Sequence, residues 1–188
     1  MMKRFLKVLI FLVALVIGII VYFPNEEAGR LLMSMASNQL SSRGVRLEYT
    51  DVKGIDGGIL VNNLKVAGGV NINFREAEFI PQFIGSITGL APKCRVNFKG
   101  CSVQMGATMN LGDGRVTVSA TPSEINLEDL RTNGELSLNG SLAVNPSTQR
   151  ITRANARVNV PDSLAPHMNM LKSFLPLVED GGRWYLRR

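Results

Sequence analysis

Cys94 and Cys101 are the residues of this 188-residue chain whose type best suits covalent chemistry, and they are its only cysteines. A redox pair would need C-x-x-C spacing, which is absent, so any bond between them would be structural. The segment PKCRVNFKGCSVQM reads as a hairpin turning at Lys99-Gly100. That register pairs Phe98 with Cys101 and Val96 with Val103, and sets Cys94 against Met105. At ~3.3 Å per residue the two sulfurs are then out of reach. A looser loop would let them meet, and the oxidising compartment argued for below favours the bond. A Cys94–Cys101 disulfide therefore stays open on the sequence.

The other chemistry-bearing residues are thinly spread. His167 is the single histidine, beside Pro166. Alone it builds no zinc site. Ser119 and Ser123 have no assignable base, and no G-x-S-x-G, Walker loop or dinucleotide-binding glycine motif occurs. Gly112-Asp113-Gly114 lacks the acidic run that calcium requires and reads as a hairpin turn. Asp51 and Asp56 flank Lys53-Gly54 without forming a recognisable carboxylate pair. No enzyme, metal or cofactor is expected. Aromatics are few and do not alternate with basic residues, so nucleic acid is not an expected partner.

The elements that would carry these residues begin with an apolar run, Phe5 to Phe23, interrupted only by Lys7. Its length matches a hydrocarbon core of ~30 Å as a helix. Val8, Leu12, Leu15 and Ile19 would face lipid, with Tyr22 and Phe23 in the interfacial layer. Lys3 and Arg4 before the run and Lys7 near its start, with Glu26-Glu27 after it, place the N-terminus in the cytoplasm. A cleaved signal would have a shorter apolar core of ~7–15 residues and a small-x-small site. The exit Val21-Tyr22-Phe23-Pro24-Asn25-Glu26 offers none, so the expectation is an uncleaved anchor. The net charge of +6 includes the three basic residues at the anchor, leaving the remainder mildly basic.

Two parts follow: residues 1–23 as head and membrane helix, and 24–188 as one exported domain. Asn25 caps a helix over 25–43, with Glu26 and Glu27 at its positive end. Ala28, Leu31, Leu32, Met35, Ala36 and Leu40 form its apolar stripe, expected to plug the end of a sheet rather than lie on the bilayer. Gly44 is its stop. From Val45 the period becomes two, giving short antiparallel strands with one oily face. Ile80–Leu90 reads as an insertion, Thr121–Leu130 as a crossing loop with a helical turn, and Gly134–Val144 as a strand. Ala154, Ala156, Val158 and Val160 line one face of another strand. A second helix is expected near 163–178, then a turn and a last strand at Arg183–Leu186.

The exit Phe23-Pro24 with the following LSSRGVRLEYTDVKGIDGGILVNNLKV, the block SEINLEDLRTNGELSLNGSLAV and the ending LKSFLPLVEDGGRWYLRR resemble the AsmA-like group, and within it the type II secretion system protein N (GspN) family. The resemblance implies a mainly β fold: a transmembrane helix, then an antiparallel curved sheet, as half-barrel or sandwich, with a short helix at each end. It implies a bacterial inner-membrane accessory of general secretion with a periplasmic domain, contacting other secretion-system inner-membrane proteins. The alternative is an AsmA-like or LptC-like lipid-handling protein with an apolar trough in its sheet.

Overall fold

The computed structural model describes residues 25–41, 44–68, 70–82, 92–105, 107–121, 123–145, 148, 150–161, 168, 172, 176–180 and 183–187. The anchor residues Val8, Leu12, Leu15, Ile19, Tyr22 and Phe23 lie outside that set. Among the described residues no helix is long and apolar enough to cross a membrane.

Helix α1 spans Asn25–Ser41. Gly44 N–H bonds Ser41 O and Val45 N–H bonds Leu40 O, both at 3.1 Å. That is the Schellman pattern with Gly44 at C′, where its φ of 75° suits glycine. The expected stop is confirmed. The expected packing face is not. Met33 is 7% exposed, whereas Leu31, Leu32 and Met35 are 56%, 61% and 58% exposed. The helix docks through Gly29 and Met33, one turn apart, because a residue without a side chain lets its backbone approach Val52 and Ile59.

The strands are β1 (Arg46–Glu48), β2 (Asp51–Ile55), β3 (Gly58–Ala67), β4 (Asn71–Pro81), β5 (Lys93–Met105), β6 (Ala107–Ala120), β7 (Ile125–Thr132), β8 (Ser137–Asn145), β9 (Arg150–Asn159), β10 (Leu177–Asp180) and β11 (Arg183–Arg187). They form one antiparallel sheet in the order β1-β3-β4-β5-β6-β7-β8-β9-β11-β10, with β2 beside β1 along β3. The sheet ends in different strands and is open, so the sandwich alternative falls away.

Several expected turns prove to be interruptions within longer strands. Lys99-Gly100 lies inside β5 and Gly112-Asp113-Gly114 inside β6. Ile80 and Pro81 complete β4, while 83–91 lie outside the described residues. The expected crossing loop is strand from Ile125 onward, where β7 begins. Of the expected helix at 163–178, Leu177 and Val178 are in β10 instead. Lys172 N–H does bond Met168 O at 3.0 Å, the helical spacing, and most of that segment lies outside the described residues.

The interruptions share a cause. Along β3, Ile59 and Val61 face one side, then Leu64 and Val66 do; the parity slips at Asn63, whose φ is 51°. On β5 it slips between Phe98 and Cys101, at Gly100 with φ 61°, and on β6 at Gly112 with φ 68°. Register brings Glu76 beside Lys99 and Cys101 beside Gly112, so these slips adjoin one another. They form a crease across β3–β6, where each strand bends yet keeps its apolar residues on one face.

That face carries two cores. At one end Met33 covers Val52, Val61, Leu64 and Ala77. At the other, Met168 covers Ala154, Ala156, Val158, Trp184 and Leu186. The expected inward set on β9 is therefore right, with Arg153, Asn155, Arg157 and Asn159 exposed opposite it.

Candidate interaction surfaces

The polar face of the sheet holds cross-strand ionic pairs. Lys99 Nζ lies 2.8 Å from Glu76 Oε2, and Asn97 Nδ2 donates to Glu78 Oε2 at 3.1 Å. Both couples are register partners on β4 and β5, where side chains meet directly. Around them and Asp113 is a shallow depression of about 220 Å³. The hydrogen bond from Lys99, then its charge, holds the Glu76 carboxyl below its usual range.

A second cluster spans three strands. Thr152 Oγ1 donates to Glu124 Oε1 at 2.8 Å, and Arg153 Nη2 donates to Glu124 Oε2 at 2.5 Å and to Asn126 Oδ1 at 3.3 Å. Glu124 lies just before β7 and its partners lie on β9, so the bonds pass over β8. Register places Ala143 between Asn126 and Arg153. Its small side chain, 3% exposed, lets the two long ones close over it. Thr121 fixes Glu124 from behind: its Oγ1 accepts from Glu124 N–H and donates to Glu124 O, both at 3.0 Å. An open depression of about 360 Å³ adjoins the cluster. Glu76 and Glu124 are held ionised by their partners, the state of structural ion pairs rather than of an acid poised to give up a proton.

On the opposite face, register sets Val96 beside Val116, and Cys94, Val118, Leu127 and Leu142 in one row. All are half-buried and lie between the two cores. The row is unbroken from β5 to β8.

The two cysteines stand on this strip and its margin. Both are free thiols. They occupy one strand, seven positions apart, and at ~3.3 Å per residue their separation far exceeds disulfide geometry. The looser loop that would have joined them does not exist, because β5 continues through the bulge at Gly100. Burial pushes the Cys94 thiol up and the Cys101 thiol up to about 11. Among the described residues no three His, Cys, Asp or Glu side chains are grouped to hold a metal. Asp51 lies 3.6 Å from Lys53 Nζ, Ser119 is buried in β6, and His167 lies outside the described residues.

Sequence reasoning missed Glu124 and Arg153, because nothing local signals a bond across an intervening strand. It also missed the Gly29–Met33 face of α1. There a signal existed: a glycine and a methionine four apart, offset from Leu31, Leu32 and Met35 and in line with Leu40.

No curated protein and no solved structure matches the chain. Over residues 2–188, however, it matches a family model, and the segments that carried the resemblance all fall within that span. The chain belongs to the family described as type II secretion system protein GspN-like, Synergistales.

Proposed function

We propose that this protein is a membrane-anchored accessory of type II secretion that presents its sheet in the periplasm and contacts other inner-membrane subunits of the pathway. The observation that carries the proposal is the family match across residues 2–188, a span that includes the apolar run Phe5–Phe23. Orientation follows from the basic residues before the run and the acidic pair after it. The role is scaffolding, without catalysis. In support, the strongest polar clusters are cross-strand ion pairs, and Glu76 and Glu124 in them are held charged.

The test is affinity purification of the full chain from native membranes, together with deletion. The expected result is recovery of other secretion inner-membrane subunits and loss of exoprotein export. Normal export with no such subunit recovered would overturn the proposal.

One observation favours a second reading, lipid handling. The half-buried row Cys94, Val118, Leu127 and Leu142 offers an apolar strip between the two cores. Mass spectrometry of lipids retained by the detergent-purified protein discriminates: stoichiometric acyl lipid supports it, and lipid at the level of an unrelated anchored protein rejects it.

A further inference from the structure

Helix α1 has three faces. Gly29 and Met33 press on the sheet. Arg30, Ser34, Asn38 and Ser41 run along one exposed flank, with Arg30 bonded to Glu26 at 2.8 Å. Leu31, Leu32 and Met35 run along the other, more than half exposed. Successive turns stack these sets because residues three and four apart share a face. Leaving three large apolar side chains in water is unfavourable, and the sheet does not take them.

We infer that the Leu31–Leu32–Met35 flank of α1 rests in the interfacial layer of the same bilayer that holds the anchor. The inference rests on the anchoring proposed above. Two observations select a bilayer over a protein partner. First, α1 begins at Asn25, two residues after the apolar run ends at Phe23, and the flank lies within ~15 Å of that first helical residue. Second, the flank is small. A stable protein–protein interface buries ~1,200–2,000 Å² in total, far more than three side chains supply. A bilayer imposes no such threshold, because the tether already holds the helix at its surface and interfacial helices bury only one apolar flank. The polar flank then faces water. Held from both sides, α1 would fix the angle between sheet and membrane.

The test uses the full-length protein in phosphatidylethanolamine–phosphatidylglycerol vesicles. A nitrobenzoxadiazole label is placed at Leu32→Cys or, on the polar flank, at Ser34→Cys. Labelling at pH 7 favours the introduced thiol, since Cys101 is buried and Cys94 is half-buried with its thiol pushed up; a Cys94→Ser background removes the remaining competitor. Vesicles with brominated acyl chains then quench the label. The expected quenching is about threefold greater at 32 than at 34, since interfacial helices bury one flank by ~5–10 Å. Carbonate extraction of the same vesicles reports the anchor separately. Protein retained but equally unquenched at both positions overturns the inference and leaves the anchor intact. A label at 32 that is shielded from water and unquenched by bromolipid, with the unlabelled Leu32→Cys protein forming a disulfide to its twin under mild oxidation, overturns it in favour of a second copy. Release by carbonate overturns both the anchoring and the inference.

Discussion

Gly29 of α1 stands directly over Ile59 of β3: a β-carbon at position 29 would lie 2.7 Å from Ile59 Cγ2 and 3.0 Å from Val52 Cγ1. Both neighbours are β-branched and stiff, so neither can swing aside. Gly29→Leu should therefore lift the helix from the sheet. The overpacking costs ~1–3 kcal/mol and outweighs the ~0.8–1 kcal/mol that leaving glycine gains in a helix. Leu32→Ala, on the exposed flank, should stay within about 0.5 kcal/mol of the parent. Urea unfolding of the full chain in mild detergent checks both. Equal stability for the two variants would show that Gly29 is not the contact.

The free thiols give a second expectation. With its pKa near 11, Cys101 is almost wholly protonated at pH 7, and thiolate is the reactive form. Disulfide-exchange reagents should modify Cys94 slowly, and Cys101 at an appreciable rate only after denaturation. Non-reducing electrophoresis of protein purified from its native compartment should show no intrachain bond. Mass spectrometry that recovered a Cys94–Cys101 linked peptide would contradict the continuous β5 strand.

The crease makes a third. Gly57 and Gly112 both have positive φ, at 72° and 68°. Nothing lies within 4 Å of a β-carbon at Gly57, whereas at Gly112 one would meet Asn133 Oδ1 and Gly134 N at 2.7 Å. Asparagine tolerates the left-handed region, so replacing each by Asn isolates the crowding. Gly57→Asn should cost under about 1 kcal/mol and Gly112→Asn ~1–3 kcal/mol more. The second also pushes on Asn133, whose Oδ1 accepts from Asp113 N–H at 2.7 Å, and on the loop whose Gly134 N–H bonds Leu111 O at 2.8 Å. Matching losses at the two positions in chemical denaturation would argue against a crowded crease.

The same crease explains which parts of the fold the sequence reveals. Alternation is legible wherever it is unbroken: Ala154, Ala156 and Val158 share a face by their spacing, and that face is the buried one. Where alternation slips by one residue, as between Phe98 and Cys101, a turn and a bulge leave the same mark. Glycine beside the slip then favours the turn. Only the neighbouring strand decides, because the bulge at Gly100 is held by a bond from its N–H to Asp113 Oδ1 at 2.8 Å, thirteen residues away. Helix α1 was legible in extent but not in rotation. Its richest apolar stripe pointed away from the sheet, and close backbone approach at one glycine set the packing instead.

The bond across β8 carries the last prediction. The Thr152 hydroxyl, then the Arg153 guanidinium, holds the Glu124 carboxyl below its ordinary value. A carboxyl whose folded pKa is depressed stabilises the fold fully above its unfolded pKa, about 4.3, and that contribution disappears as pH falls through the folded value. Melting temperature should therefore fall between about pH 5 and 3 in the parent, and less steeply in Glu124→Gln, which has no proton to gain. Glu76 titrates in the same direction through Lys99, so some acid sensitivity should persist in that variant. Lys99 itself is raised by Glu76, and its share is present below about pH 10.4 and lost as pH climbs past the folded value. Thermal melts from pH 3 to 7 check the acid limb. Superimposable slopes for parent and Glu124→Gln would mean that the Glu124–Thr152–Arg153 cluster does not hold β7 to β9 in solution.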